Sequence, residues 1–493
     1  MTSNRTRYRV AIIGAGPGGI CSAIKLMEAG IRDFVVLEKA TGVGGTWWHN
    51  RYPGAECDVP SHLYSFSFEI RKDWSRPYAG QQEILEYMQH CAEKYAVLPF
   101  VRFGDAVSAA HWQEGAARWE LVTESGQRIE ADAVISAIGM FNELAYPGIP
   151  GLDSFEGHCF HSARWDHDHD LDGRRVAVIG SAASAVQFVP EIAEKVAGLD
   201  LYQRTANWVL PKDDAPYTAE QLEHFRSHPT AVADRREELY EALENFITFS
   251  NTKALTQAEA AGLENLQTVR DPELRRKLTP THPFGCKRPL ASNRFYPVFN
   301  MDHVHLITDP IERITPRGVV SADGTERAVD TLILATGFQT GRYLSAIDVT
   351  GRGERSLNDA WRDGAQAYLG ITTAGFPNLF MLYGPNTNNG SILYMLERQV
   401  DYALRRILQL ERESLAWIDI REAAMAQYNT RLQQDIDKVE VWQAGCSGYY
   451  RAPSGRVVTQ WPHTMAEFRA RTNRDDSDAY ESAPRSGARA SSR

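Results

Sequence analysis

The chain has 493 residues, 43% hydrophobic and 24% charged, with 53 basic against 63 acidic side chains. That balance fits a water-soluble globular protein of two or three cores and excludes disordered, collagen-like and multi-span membrane classes. The net charge of −10 disfavours nucleic acid or an anionic membrane surface as the main partner. No run of about 18 apolar residues suggests a membrane span, and the polar residues 1–9 do not fit a secretory signal. The six cysteines are scattered without a C-x-x-C pair, so no disulfide framework, zinc site or redox dithiol is expected, and the cytoplasm is the expected location.

The first strong pattern is an apolar strand over residues 8–14, followed by Gly14-Ala-Gly16-Pro-Gly-Gly19, a helix to Ala29 and a buried strand ending at Glu38. In this β–turn–α–β setting the glycines have a mechanism. Gly14 makes the tight turn, Gly16 lets a pyrophosphate approach the backbone, and Gly19 lets helix and strand pack closely. A second copy begins with the strand 174–180, runs through Gly180-Ser181-Ala182-Ala183-Ser184, and ends its next strand at Arg204-Thr205. Gly14 to Glu38 and Gly180 to Arg204 both span 24 positions. The carboxylate can accept from ribose hydroxyls, whereas the guanidinium suits a 2′-phosphate. One unit is thus expected to take a dinucleotide with a free adenosine ribose and the other NADPH, although Ala182 replaces the middle glycine. Residues 133–139 and 331–337 read as two further buried strands running into small-residue turns at a cofactor. The segment 218–279 is charged, helix-rich and without strand alternation.

Between the two units lies Phe155-Glu-Gly157-His-Cys-Phe-His161-Ser-Ala-Arg-Trp165-Asp166. Its form F-x-G-x-x-x-H-x-x-x-W-D closely resembles the fingerprint of the single-chain, FAD- and NADPH-using Baeyer–Villiger monooxygenases. Four more segments resemble that family in the same order: Gly44-Gly45-Thr46-Trp47; Tyr52-Pro53-Gly54 to Asp58; Gly285-Cys-Lys287-Arg288-Pro289; and Gly445 to Tyr450 through Trp461-Pro462. The resemblance implies FAD and NADPH as cofactors, and ketone and dioxygen as substrates. A C4a-peroxyflavin would attack the carbonyl to give an ester or lactone. It implies Arg288 as the cation that stabilises the peroxide and the tetrahedral adduct, and Asp58 as the carboxylate that orients it. For FAD it implies Gly14, Gly16, Gly19, Glu38, Gly45, Thr46, Trp47, Asp58, Tyr64 and Val107. For NADPH it implies Gly180, Ser181, Ala182, Ala183, Ser184, Arg204, Thr205, Lys287 and Arg288. The position of His161 is associated in the family with domain movement, and Tyr449 stands where the family often has Trp. The histidines and aspartates of 158–170 have mixed spacing, so no metal site is expected.

The expected fold is α/β, with two Rossmann-type dinucleotide-binding domains (FAD and NADPH) and a helical insertion. The FAD domain takes 1–146 and 374–471, the NADPH domain 147–211 and 284–373, the insertion 212–283, and a disordered tail 472–493. The substrate pocket is expected to be lined by residues 384–390, the loops near Tyr449 and parts of the insertion. Two other functions stay open at this point: oxygenation of soft sulfur or nitrogen nucleophiles, and a non-catalytic FAD-binding sensor or carrier. Oligomeric state is open.

Overall fold

The computed structural model describes residues 6–446 and 448–485. The first apolar run forms the strand Arg7–Ile13. Gly14 turns the chain into the helix Pro17–Glu28, and the strand Phe34–Glu38 follows. Pro17 sits in the first helical turn, where its missing N–H removes no hydrogen bond. The two strands pair in parallel, Val10 opposite Phe34, because the intervening helix carries the chain back to the same sheet edge. They belong to an eight-stranded sheet that also contains the antiparallel run Val107–Gln113, Arg118–Thr123 and Arg128–Ser136.

The second copy forms Arg175–Ile179, the helix Ala183–Ile192 and Gly198–Tyr202. Its sheet has five strands, all parallel, in the order Val304–Ile307, Gly198–Tyr202, Arg175–Ile179, Thr331–Leu334 and His158–His161. Between the repeats of this sheet run four helices, Ala219–Ser227, Ala231–Glu244, Thr252–Leu266 and Pro272–Leu278. Three begin on side-chain caps from Thr218, Asn251 and Asp271, which explains why this polar stretch is helical without strand alternation.

The first core is assembled from both ends of the chain: Val10 and Ile12 share one cluster with Phe380, Leu393 and Val400. The helix Ile392–Arg412 lies against Pro17–Glu28 and supplies its apolar face. The return to this core comes earlier than expected. Asp348–Thr350 already pairs with Val107–Gln113, and Tyr343, Leu344 and Ile347 are buried in the first core, so the crossing precedes residue 348 rather than falling at 374.

Two further expectations fail. The segment after residue 471 is not a disordered tail through residue 485. Tyr480–Pro484 pairs antiparallel with Leu415–Ile420, and the Asp476 carboxylate accepts from Tyr402 Oη at 2.6 Å and pairs with buried Arg406. One buried tyrosine and one buried ion pair anchor a stretch whose composition is otherwise polar. The rest of the expected tail, 486–493, lies outside the described residues. The cysteines are not all unpaired either: Cys286 and Cys446 form a disulfide with a Cα–Cα distance of 6.1 Å. Their separation of 160 positions has no short-range pattern that marks a pair. Among the described residues, no helix is long and apolar enough to cross a membrane.

Candidate active site

The two glycine turns are built alike. Gly14 has φ +101° and Gly180 φ +107°, a region costly for any residue with a Cβ. A methyl at Gly14 would lie 2.8 Å from Ala137 O, and one at Gly180 2.5 Å from Ala335 O. Each turn therefore abuts the end of one of the two small-residue strands noted in the sequence. At Gly19 a methyl would lie 1.9 Å from Gly14 O, so this glycine sets helix-to-strand distance.

These turns open on one cavity of about 1580 Å³. A single small-ligand site is typically about 300–1,000 Å³, so there is room for two extended cofactors. Every site residue read from the sequence lines this cavity except Gly19, which lies behind it. Glu38 is buried and fixed: its Oε2 accepts from Ala15 N at 2.6 Å and its Oε1 from Ala40 N at 2.7 Å. A carboxylate has about four acceptor sites, so lone pairs are left for a ribose. Trp47 Nε1 donates to Tyr64 Oη at 3.0 Å, which packs both rings edge to face beside the first turn. Thr46 opens the short helix Thr46–His49, and Gly45 faces Gly16 across the cradle.

On the second unit, Ala182 is the N-cap of the helix Ala183–Ile192 and is exposed to the cavity, so its methyl does not close the turn. Lys287 Nζ donates to Thr205 Oγ1 at 2.6 Å. Its ammonium is held below the ordinary lysine range, by burial first and then by the nearby Arg204 guanidinium. Arg204 and Lys287 form no ion pair among the described residues, which leaves two neighbouring cations suited to a dianionic phosphate.

Arg288 lies where the two units meet. Its Nε and Nη2 donate to Asp58 Oδ2 at 2.9 and 2.6 Å. The Asp58 carboxylate, against the opposing effect of burial, holds Arg288 well above even the usual arginine range, so the guanidinium stays charged. An aromatic wall stands beside it, in which Phe141 contacts Tyr383 at 6.4 Å and Tyr449 at 6.1 Å between ring centroids.

Asp58 is placed by a segment that the sequence did not mark as an interdomain strut. Tyr52 Oη donates to Gln187 Oε1 at 2.8 Å, and Gln187 Nε2 donates to Glu56 O at 3.0 Å. The first-unit loop is thereby docked on the second-unit helix. Buried Lys212 adds an ion pair to Glu56 at 2.6 Å. Neither partner had a sequence signal, because each is a single polar residue in an otherwise ordinary helix or loop.

The histidines of the fingerprint segment make local contacts. His158 Nε2 lies 2.9 Å from Asp166 Oδ2 and stacks on His169 at 4.0 Å, while His169 reaches Thr331 Oγ1 at 2.9 Å. His161 Nδ1 accepts from Ala163 N at 3.1 Å, and burial pushes its pKa down to about 4, so the imidazole is neutral. Trp165 packs against Phe160 and Phe188, which locks the linker to the second unit.

The expected pocket lining needs correction. No residue of 212–283 lines the cavity, and of 384–390 only Gly390 does. Two asparagines of that loop brace the backbone instead. Asn386 Nδ2 donates to Val457 O and Gln460 O, and Asn389 Nδ2 to Ile247 O and Trp461 O.

Two Rossmann units that open on one cavity, one ending in a carboxylate and the other in paired cations, define a flavoprotein oxidoreductase with a second nucleotide site. The profile of the pyridine nucleotide-disulphide oxidoreductase family matches residues 11–259. The chain is 42% identical to a Baeyer–Villiger monooxygenase of Pseudomonas aeruginosa, over 96% of this chain and 91% of that one. It superposes on a cyclohexanone monooxygenase of Rhodococcus bound to NADP⁺ with a TM-score of 0.88, at 30% identity, covering 98% and 100% of the two chains. A cyclohexanone monooxygenase bound to ε-caprolactone gives 0.86 at 29% identity, over 97% and 99%. The chain belongs to the Baeyer–Villiger monooxygenase family.

Proposed function

We propose that Arg288, aimed by Asp58, is the charge-stabilising residue of the Baeyer–Villiger oxygenation that this enzyme performs with FAD and NADPH. The observation that carries the assignment is the Arg288–Asp58 pair, which lines the shared cavity at the meeting of the two units. FAD, reduced by NADPH, supplies the activated dioxygen. The remaining tasks fall to the chain.

Glu38 and the Gly14–Gly16 cradle hold the first dinucleotide, and Gly180 to Ser184 with Arg204, Thr205 and Lys287 hold the second. Arg288 commits two N–H groups to Asp58 and lines the cavity, which leaves its other N–H groups to meet negative charge developing on oxygen as a ketone carbonyl becomes tetrahedral. Fixed donors of this kind stabilise a transition state without reorganising. Because Asp58 keeps the guanidinium charged, the group delivers charge without exchanging a proton. Phe141, Tyr383 and Tyr449 form an aromatic wall on that side of the cavity. The product is an ester or lactone from the ketone, plus water. The test is anaerobic addition of NADPH, which bleaches the yellow enzyme, followed by air and a ketone panel with mass analysis. A 16 Da gain, the mass of one oxygen atom, on ketones supports the reading, and oxygenation confined to sulfides or amines refutes it.

A further inference from the structure

We infer that the Cys286–Cys446 disulfide is a positioning element of the active site, one that a thiol reductant converts into a leakier form of the enzyme. The inference rests on the functional reading above. Cys286 directly precedes Lys287 and Arg288, and Cys446 precedes Gly448, Tyr449 and Tyr450; all of these residues line the cavity. The bond therefore joins the cationic side of the cavity to its tyrosine side.

The two segments share one apolar cluster, in which Phe284 and Tyr450 both sit, but their hydrogen bonds run to different elements. On one side, Phe284 N donates to Glu259 Oε1 at 3.0 Å and Leu290 N to Trp208 O at 2.9 Å. On the other, Val458 N donates to Tyr450 O at 2.9 Å, and Arg451 donates to Gly455 O and Trp442 O. No hydrogen bond among the described residues of 283–290 and 444–450 joins one segment to the other. A Cβ on Gly448 would lie 3.9 Å from Lys287 Cγ, which is van der Waals contact without direction. The disulfide is thus the directional link that sets Tyr449 and Tyr450 against Lys287 and Arg288. The other four cysteines do not compete for this role: Cys21, Cys57 and Cys91 are buried, burial pushes their thiols up, and Cys159 lies outside the cavity.

In the reductive step, a dithiol such as dithiothreitol gives two electrons and two protons. The Sγ–Sγ bond breaks, Cys286 and Cys446 become thiols, and the reagent closes to its own disulfide. The loop carrying Tyr449 is then held beside the Lys287–Arg288 segment by apolar packing alone. NADP⁺ affinity falls and more of the NADPH consumed ends as hydrogen peroxide instead of ester.

The experiment uses FAD-loaded full-length enzyme in three forms: as purified without reductant, treated with dithiothreitol and desalted, and reduced then reoxidised with diamide. Alkylation after unfolding must count four thiols in the oxidised form and six in the reduced form. NADP⁺ titration by flavin absorbance and the peroxide-to-ester ratio are then read on each. Weakening of NADP⁺ binding by about three- to tenfold on reduction is expected if the competent loop position drops to between about a third and a tenth of the ensemble. Reoxidation restores both readouts, and the Cys286→Ser/Cys446→Ser double variant matches the reduced form and ignores both reagents. Six thiols in every form would overturn the proposal, as would unchanged affinity and coupling across a verified four-to-six transition. Bleaching by NADPH in the oxidised form separates the outcomes: if it persists, a failed proposal leaves the functional reading standing; if it is absent, both fall.

Discussion

Replacing Arg288 by alanine separates cofactor reduction from oxygen transfer. Of the five guanidinium N–H groups, one on Nε and one on Nη2 are committed to Asp58 Oδ2, so three are left for the cavity. Loss of one preorganised donor to a developing oxyanion costs about 2.7–4 kcal/mol, or about 10²–10³ in rate. The expected loss in ester formation is accordingly at least about 10². The fold survives the change, because an ion pair with partners 35% and 39% exposed contributes at most about 1 kcal/mol. Three quantities are followed on one sample: anaerobic bleaching by NADPH, ester by gas chromatography, and peroxide by a coupled dye. Bleaching continues, ester collapses and peroxide accounts for most of the NADPH consumed. A variant that keeps more than about a tenth of the wild-type ester rate, with an unchanged melting temperature, refutes the assignment.

Lys287→Ala removes one of the two cations without an acidic partner. The KM for NADPH should rise about tenfold while that for NADH stays within about twofold, as lost hydrogen bonds to charged groups cost about 1.5–3 kcal/mol; an equal rise for both nucleotides argues against 2′-phosphate recognition. Asp476→Ala leaves Arg406, only 4% exposed, without its carboxylate, and should lower unfolding free energy in urea by about 3–5 kcal/mol, whereas a loss below about 1 kcal/mol would mean that the C-terminal strand holds without the pair. Acidification should destabilise the enzyme through His62, whose pKa burial pushes from 6.5 down to about 4. The unfolded chain takes up a proton below about pH 6.5 that the folded chain refuses, so this stability is complete above that pH and is lost as pH falls towards 4. Differential scanning calorimetry at about pH 7.5 and 5 should show a smaller fall in Tm for His62→Gln than for the parent, and equal falls would refute the role.

The dinucleotide units were legible because their requirements are local. A positive φ at Gly14 and Gly180, a strand before, a helix after and a charged residue 24 positions on are all written within one short stretch. The fingerprint Trp165 and the Arg288–Asp58 pairing came from the family resemblance, and the spacing alone did not give them. What stayed hidden depends on distant partners. Nothing near Asp348 says that this short strand adds to a sheet begun at Arg7. The polar composition after residue 471 masked a buried Tyr480 and the Asp476–Arg406 pair. Residues 384–390 were expected to line the pocket, but Asn386 and Asn389 spend their amides on backbone carbonyls and Asn388 Nδ2 donates to Gln460 Oε1.

The divided first sheet also dictates an order of assembly. During synthesis every strand of the five-stranded sheet has been made once Leu334 is linked, so that unit can close while the remainder of the chain is still being translated. The sheet that starts at Arg7 must wait for Asp348–Thr350 and Leu379–Met381, and its core for Leu393 and Val400. The first-made nucleotide site is therefore among the last to become sound. On this order the strands that frame the second nucleotide site are all synthesised before those of the first, although the first begins at Arg7.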